Sequence, residues 1–219
     1  MMKKFLLVLI AMCSLAVINL QAQGVAVDPR AKSILDKASA KFNSGSGLIA
    51  KLNVHVDNEQ TNKKQNIPGV LSLKGNKFKL SLAGVETYYD GKTEYVYLIK
   101  EKEVNISTPK AEDLKETNPL LLLKSYKTGY KMSYVGSANV NGKLVDNVNL
   151  YPNDRTKSFS IITISIDKKT MLPVTVKAQG KNGINTTVTV LSYTYKRLPD
   201  PNFVYNAKAH KGVEVIDLR

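Results

Sequence analysis

The segment that decides the fold is Gly47-Leu48-Ile49-Ala50-Lys51-Leu52-Asn53-Val54-His55-Val56-Asp57. Its even-numbered residues are apolar, whereas the odd positions from Lys51 onward are polar. A period of two is typical of a strand that buries one face and exposes the other to water. The same alternation recurs at two further places, Phe78-Leu80-Leu82 and Ile162-Ile164-Ile166. The sequence therefore predicts a mainly β protein whose strands share a large apolar face.

The first 22 residues have the three parts of a secretory signal. Lys3 and Lys4 are positive, Phe5–Ile18 is apolar but too short to span a bilayer, and Leu20-Gln21-Ala22 resembles a cleavage site. We expect residues 1–22 to be removed and residues 23–219 to form one domain in the periplasm. Two alternatives stay open here: an uncleaved N-terminal anchor, and lipidation at Cys13.

Composition limits the chemistry and the partners. Cys13 is the one cysteine, so cleavage would leave no disulfide, thiol nucleophile or cysteine metal site. Loss of Lys3 and Lys4 lowers the formal net charge from +14 to +12. Nucleic acid is the usual partner of a basic protein, but export argues against it, and so does the interleaving of lysines with apolar residues. The lysines predict either a solvated face that keeps strand edges apart or attraction to anionic membranes and acidic partners.

Turn and capping signals divide the chain into elements. Asp28-Pro29 predicts the start of a helix that continues to Phe42. Twelve strands follow in the predicted order, near 48–57, 67–74, 77–82, 85–90, 93–99, 103–108, 130–136, 143–151, 159–167, 173–179, 184–196 and 213–217. Between the sixth and seventh strands, Asn118-Pro119 begins a short helix with four consecutive leucines. A helix that is apolar all round must be covered on several sides, so it is either a core helix or a lid over an apolar cavity.

Residues for catalysis are scarce. His55 and His210 are the only histidines and lie far apart in sequence, and the chain contains no metal-binding, nucleophile-elbow or phosphate-loop motif. We therefore expect no enzyme activity and no cofactor. A protein that binds apolar material is the better interpretation.

Five segments, in order along the chain, resemble the periplasmic outer-membrane lipoprotein carrier proteins of the LolA type. They are the first helix leading into the strand at 48–56, the hairpin Gly69–Phe78, the strand Tyr89–Tyr97, the leucine helix beginning at Asn118-Pro119, and the closing segments Phe203–Tyr205 and Gly212–Arg219. The similarity covers nearly all of the mature chain. It implies one curved antiparallel sheet that forms an unclosed β-barrel around an apolar cavity. Helices would cover the open side of this barrel.

The resemblance also implies a function and a set of site residues. Members of this family take acylated lipoproteins from an inner-membrane release complex and deliver them to an outer-membrane receptor or membrane surface. On this basis we expect a monomer that holds the acyl chains of its cargo in a cavity. The residues expected to line this cavity are Leu52, Val54, Leu71, Leu73, Phe78, Leu80, Tyr95, Tyr97, Ile162 and Ile164. The lid would comprise Pro119, Leu120, Leu121, Leu122 and Leu123. Lys74 would latch the lid, in a turn where well-known members carry Arg-Pro.

Two other functions remain open on the sequence. A sensor or regulator built on the same fold would detect mislocalised lipoproteins and contact a membrane partner. A small outer-membrane barrel would need strands of about 9–11 residues with aromatic girdles. Most predicted strands are shorter than that, and the two predicted helices argue against the barrel.

Overall fold

The computed structural model describes residues 27–44, 47–110, 114 and 122–219. Helix α1 comprises Pro29–Phe42, and α2 is a single turn, Leu122–Ser125. Within these residues the chain forms twelve strands: β1 Leu48–Asn58, β2 Lys63–Lys74, β3 Lys77–Leu82, β4 Val85–Tyr89, β5 Glu94–Leu98, β6 Glu103–Ser107, β7 Tyr130–Val140, β8 Lys143–Pro152, β9 Phe159–Asp167, β10 Pro173–Gly180, β11 Ile184–Tyr195 and β12 Glu214–Asp217. Two 3-10 turns, Asp200–Phe203 and Ala207–Ala209, lie between β11 and β12.

All twelve strands belong to one curved sheet that does not close. The order across it is β12-β6-β5-β4-β3-β2-β1-β11-β10-β9-β8-β7, so β12 and β7 are its edges. Every neighbouring pair is antiparallel except β12 and β6, which run parallel. Two meanders, β1–β6 and β7–β11, meet where β1 pairs with β11 along their whole length. The predicted fold class is confirmed, and the predicted strands all occur.

Helix α1 lies on the inner face and is fixed to edge strand β7 by its own cap. The Asp28 carboxylate accepts hydrogen bonds from the backbone N–H groups of Arg30 at 2.8 Å and Ala31 at 3.3 Å, as an N-cap residue does. Its second oxygen accepts the backbone N–H of Tyr134 in β7 at 2.8 Å. The Arg30 guanidinium lies 3.7 Å from the centre of the Tyr134 ring. These contacts hold the helix start against the sheet edge, where β7 would otherwise expose unpaired backbone groups.

The inner face of the sheet forms the main core with α1. The helix buries one stripe, Ala31, Ile34, Leu35, Ala38 and Phe42, against side chains that alternate along β1, β2, β3, β8 and β9. The Phe42 ring meets the Tyr193 ring edge-on, with centroids 6.5 Å apart. Helix α1 packs most closely on β7 and β8. Its C-terminal end reaches β11, where the Tyr195 hydroxyl donates to the Lys41 carbonyl at 3.1 Å.

A second, smaller cluster lies on the outer face. The segment between β11 and β12 crosses β4–β6 there, and Tyr205 packs with Tyr88, Tyr97 and Val104. The Tyr205 ring stacks on His210 at 4.9 Å and lies 5.3 Å from the Tyr97 ring. The C-terminal segment is therefore part of the fold, and it covers aromatic side chains that the sheet would otherwise expose.

Candidate ligand-binding cavity

Eight of the ten predicted cavity residues share the inner face of the sheet. They belong to one buried cluster with α1: Leu52, Val54, Leu71, Leu73, Phe78, Leu80, Ile162 and Ile164. None is more than 8% exposed, and Phe78, Leu71 and Ile164 are completely buried. The Phe78 ring also packs on Tyr89 at 5.6 Å. Over β1–β3 this face is packed against other protein side chains.

The other two predicted residues, Tyr95 and Tyr97, lie on the opposite face. Tyr95 pairs with Tyr88 across β4 and β5, while the next residue of β4, Tyr89, pairs with Phe78. Because adjacent residues of a strand point to opposite faces, Tyr88, Tyr95 and Tyr97 point away from the interior that Phe78 enters. The structure therefore does not bring Tyr95 and Tyr97 together with the other eight.

The predicted lid is described only in its C-terminal part. Pro119, Leu120 and Leu121 lie outside the described residues. Leu122 and Leu123 begin α2, are 2% and 1% exposed, and pack into the main core. A closed lid and a fixed core helix would both bury these two leucines, so the lid role stays a prediction.

Tyr126 anchors the chain just after α2. Its ring is buried in the main core, and its hydroxyl donates to the Asp36 carboxylate on α1. Asp36 also accepts a hydrogen bond from Lys32 at 2.6 Å. The bonds from Lys32 and then Tyr126 lower the pKa of Asp36 to about 2, while burial and the adjacent carboxylate raise the pKa of Tyr126. This anchor ties the end of the leucine segment to α1.

Lys74, the predicted latch, pairs with the C-terminal segment. Its ammonium lies 2.7 Å from one oxygen of Asp200, and the Lys77 ammonium lies 2.9 Å from the other. The hydrogen bonds from Lys74 and then Lys77 lower the pKa of Asp200 to about 2. The β2–β3 turn is thereby joined to the first 3-10 turn. A contact between Lys74 and the lid stays a prediction.

An apolar cavity of about 590 Å³ lies on the inner face at the other side of the sheet, under β9–β11. Strands β9, β10 and β11 supply much of its floor: Phe159, Ile162, Val176, Ala178 and Val188. Leu122 and Tyr130 close it from the side of α2 and β7. Of the predicted site residues, Ile162 and Leu122 are among the described residues that line it. The space lies within the usual range of small-molecule pockets, about 300–1,000 Å³.

Backbone hydrogen bonds hold the polar rim of this cavity. Two segments line the rim: the β8–β9 connection, through Pro152, Asn153, Asp154, Lys157 and Ser158, and the β10–β11 turn, through Gly180 and Asn182. The N–H of Asn153 donates to the Gly129 carbonyl at 2.9 Å, and the N–H of Lys181 donates to the Ser158 carbonyl at 2.8 Å. A Cβ on Gly180 would lie 2.1 Å from the Ile184 carbonyl oxygen, so the turn requires glycine there. These contacts fix the position of the rim, which surrounds an end of the cavity where exposed loops meet.

The cavity residues that the sequence analysis missed carry the same signal as those it found. Val174, Val176 and Ala178 alternate with polar residues in β10, as Val188 and Val190 do in β11. Applying the period-two rule to these strands would have placed Val176, Ala178 and Val188 on the inner face. It would not have shown that the space beside them stays open, because that depends on how the helices and loops pack over the sheet.

Within the described parts of the chain, no helix combines the length and apolarity needed to cross a membrane.

Sequence comparison identifies the family. Residues 23–182 match the family described as "Outer membrane lipoprotein carrier protein LolA". The chain belongs to this family. No curated protein is similar enough in sequence to count as a match.

Solved structures resemble the LolA-type chain in fold at low sequence identity. A conserved uncharacterized protein from Thermus thermophilus superposes with a TM-score of 0.60 at 13% identity, covering 86% of this chain and 99% of its own. A putative outer membrane lipoprotein-sorting protein domain from Vibrio parahaemolyticus gives 0.45 at 15% identity, covering 83% and 99%. The Mycobacterium tuberculosis lipoprotein LppX gives 0.46 at 12% identity, covering 76% and 96%. The first of these likenesses supports the fold.

Proposed function

We propose that this protein is a periplasmic carrier that binds the acyl chains of lipoproteins and moves them from the inner to the outer membrane. The observation that carries the proposal is the apolar cavity of about 590 Å³ on the inner face of a curved sheet, in a chain of the LolA family. In this proposal an inner-membrane release complex loads the cargo. An outer-membrane receptor or the membrane surface receives it. The protein works as a monomer, without a cofactor and without catalysis.

The size of the cavity sets how strongly it can hold an acyl chain. Taking roughly 30 Å³ for a group the size of a water molecule or a methylene, 590 Å³ holds on the order of twenty methylenes. Burying twenty methylenes at about 0.8 kcal/mol each gives about 16 kcal/mol relative to water. That value is below the ceiling of roughly 20 kcal/mol for non-covalent binding. A bilayer provides a similar gain per methylene, so a chain exchanges between carrier and membrane at little net cost.

The test is to identify what the protein carries. Full-length protein is expressed with its export segment, recovered from the periplasmic fraction, and analysed by native mass spectrometry and by lipid extraction. The expected result is an acylated lipoprotein or lipid bound to a chain that begins at Gln23. Delipidated protein should then bind a fluorescent fatty-acid probe in buffer. A periplasmic protein that carries no acylated molecule and takes up no probe would refute the proposal.

A further inference from the structure

The outward side of α1 is basic. The helix turns its apolar stripe toward the sheet, and its exposed residues include Arg30, Lys32, Lys37 and Lys41. Lys37 and Lys41 lie seven and eleven residues after Arg30, so these three cations recur after two and three turns and share one side of the helix. They extend over about 16 Å of its length. The helix itself contains one carboxylate, Asp36.

The protein neutralises this basic face incompletely. Asp36 already serves two cations, because its carboxylate lies 2.6 Å from the Lys32 ammonium and 3.4 Å from the ammonium of Lys127, which follows α2. Among the described residues, no carboxylate pairs with the other three cations of the helix. The second carboxylate of this region is Asp28, which caps the helix. Five cations against two carboxylates leave three net positive charges at neutral pH.

Two exposed valines lie at the start of the basic face. Val27 precedes the N-cap residue, whose backbone N–H donates to edge strand β7 at 3.2 Å. Val135 follows Tyr134, on whose ring the Arg30 guanidinium stacks. Val27 is 49% exposed and Val135 is 57% exposed. Apolar side chains set among cations are typical of protein surfaces that bind the interface of a bilayer, where the cations meet anionic lipids and the apolar groups enter between the headgroups.

The basic face adjoins the cavity through the segment after α2. Lys127, which pairs with Asp36 of α1, is followed by Thr128 and Gly129, and both of these residues line the cavity. Leu122 of α2 lines the cavity as well. A surface bound to α1 would therefore lie next to a wall of the cavity.

We infer that the outward face of α1, with Val27 and Val135 at its start, binds the anionic headgroups of a phospholipid bilayer. The inference rests on the proposed carrier function and names the surface by which the carrier meets a membrane. Charge complementarity identifies the occupant, because three net positive charges are attracted to a surface of anionic lipids and gain little from a neutral one. The two valines favour a bilayer over an acidic protein, since they can leave water among lipid headgroups.

The experiment measures how tightly the protein binds vesicles. Protein recovered from the periplasmic fraction is delipidated and mixed with vesicles of phosphatidylcholine alone, or of phosphatidylglycerol and phosphatidylcholine in equal parts. Flotation at about 0.1 M and about 1 M salt gives the bound fraction. Each basic residue near an anionic leaflet strengthens binding about fivefold, so three net charges should give on the order of a hundredfold preference for the anionic vesicles. At about 1 M salt the Debye length is about 3 Å, and most of that preference should disappear.

Charge variants locate the surface. Lys37→Gln combined with Lys41→Gln should weaken binding to anionic vesicles roughly 25-fold at about 0.1 M salt, with binding to neutral vesicles unchanged. The matched control combines Lys51→Gln with Lys177→Gln, two exposed lysines on the outer face of the sheet. The same loss of charge there should have little effect, because the helix and the sheet together are thicker than the Debye length of about 10 Å.

A further variant tests the apolar part of the surface. Val135→Ser should weaken binding to anionic vesicles several-fold at both salt concentrations, because salt does not screen an apolar contact. Circular dichroism and melting temperature establish that each variant is folded. Displacement of a fluorescent fatty acid, measured without vesicles, should give the same Kd for the wild type and every variant.

The outcomes distinguish this inference from the proposed function. A salt-sensitive preference for anionic vesicles that the α1 variant loses and the control keeps supports the inference. Equal binding to both kinds of vesicle, an equal loss in the variant and the control, or no vesicle binding at all overturns it, and the last result would leave an acidic protein as the partner of this face. In each of these cases the carrier function stands if the fatty acid binds. Failure of the fatty acid to bind counts against the carrier function, whatever the vesicles show.

Discussion

Ala178→Phe should shorten the acyl chain that the cavity accepts. Ala178 lines the cavity from β10, between Val176 and the rim. The substitution adds six carbons, which occupy the space of about six methylenes out of roughly twenty. Each methylene of ligand buried in the cavity contributes about 0.8 kcal/mol, or roughly fourfold in Kd.

The assay measures Kd for a series of fatty acids from ten to twenty carbons, by displacement of a fluorescent probe. For the wild type, Kd should fall about fourfold per added carbon until the chain fills the cavity, and then level off. For Ala178→Phe, the plateau should come about six carbons earlier. At the longest chains the difference would approach about 5 kcal/mol, which is roughly three to four orders of magnitude in Kd.

The matched control is Gln179→Phe, which adds an aromatic ring to the same strand on its outer face. Gln179 pairs with Ile161 across β9 and β10, one position out of step with the cavity residues. Its chain-length series should coincide with that of the wild type. Because overpacking costs about 1–3 kcal/mol, melting curves must first show that both variants are folded. A plateau at the same chain length in all three proteins would refute the assignment of this cavity to acyl chains.

Three further predictions concern the contacts around the core. Tyr126→Phe removes the hydrogen bond to the Asp36 carboxylate and should lower the free energy of unfolding in urea by about 1 kcal/mol, and the pKa of Asp36 should rise. Asp200 has a pKa of about 2 in the folded protein against an ordinary value of 3.8, so its contribution to stability is fully present above the ordinary value and is lost as the pH falls toward 2. The melting temperature of Asp200→Asn should therefore lie slightly below that of the wild type near neutral pH, with the difference vanishing in strong acid and shrinking at high salt. If the leucine segment is a lid, amide hydrogens at 122–126 should exchange by local opening, faster than the amide hydrogens of β1, and this exchange should slow once an acyl ligand is bound. If the amides at 122–126 are as protected as those of β1 with and without ligand, the segment is a fixed core helix.

The strands were predictable because each carries its own signal. Alternation of apolar and polar residues defines β1, β3 and β9, and Gly-containing turns such as Asp90-Gly91 and Asn141-Gly142 separate the hairpins. Strand β2 begins at Lys63, four residues before the predicted start. The prediction missed residues 63–66 because they are polar on both faces. This extension forms through its pairing with the end of β1, a tertiary contact that no local pattern reports.

The site was less predictable because periodicity identifies a face and says nothing about what covers it. Alternation assigns Phe78 and Leu80 to the inner face and they lie there, but side chains from the rest of the core fill the space beside them. The run Tyr95-Val96-Tyr97 is apolar on both faces, so alternation cannot choose between them. The C-terminal segment makes the outer side of this run a buried surface, through Tyr205. The position of the open cavity depends on how the helices and loops pack over the sheet, and alternation along a strand does not report that packing.

The junction between β1 and β11 has a consequence for how the chain folds. Strands β1–β6 and β7–β11 pair with neighbours in sequence, so each meander closes through short loops, whereas Leu48 must find Tyr195 across nearly the whole protein. Loop-closure entropy makes such distant pairing slow. Until β11 forms, the apolar edge of β1 has no partner on that side and is open to strands of other molecules. Joining the two halves should therefore limit the rate of refolding, and a chain cut before β11 should aggregate although its first six strands are intact.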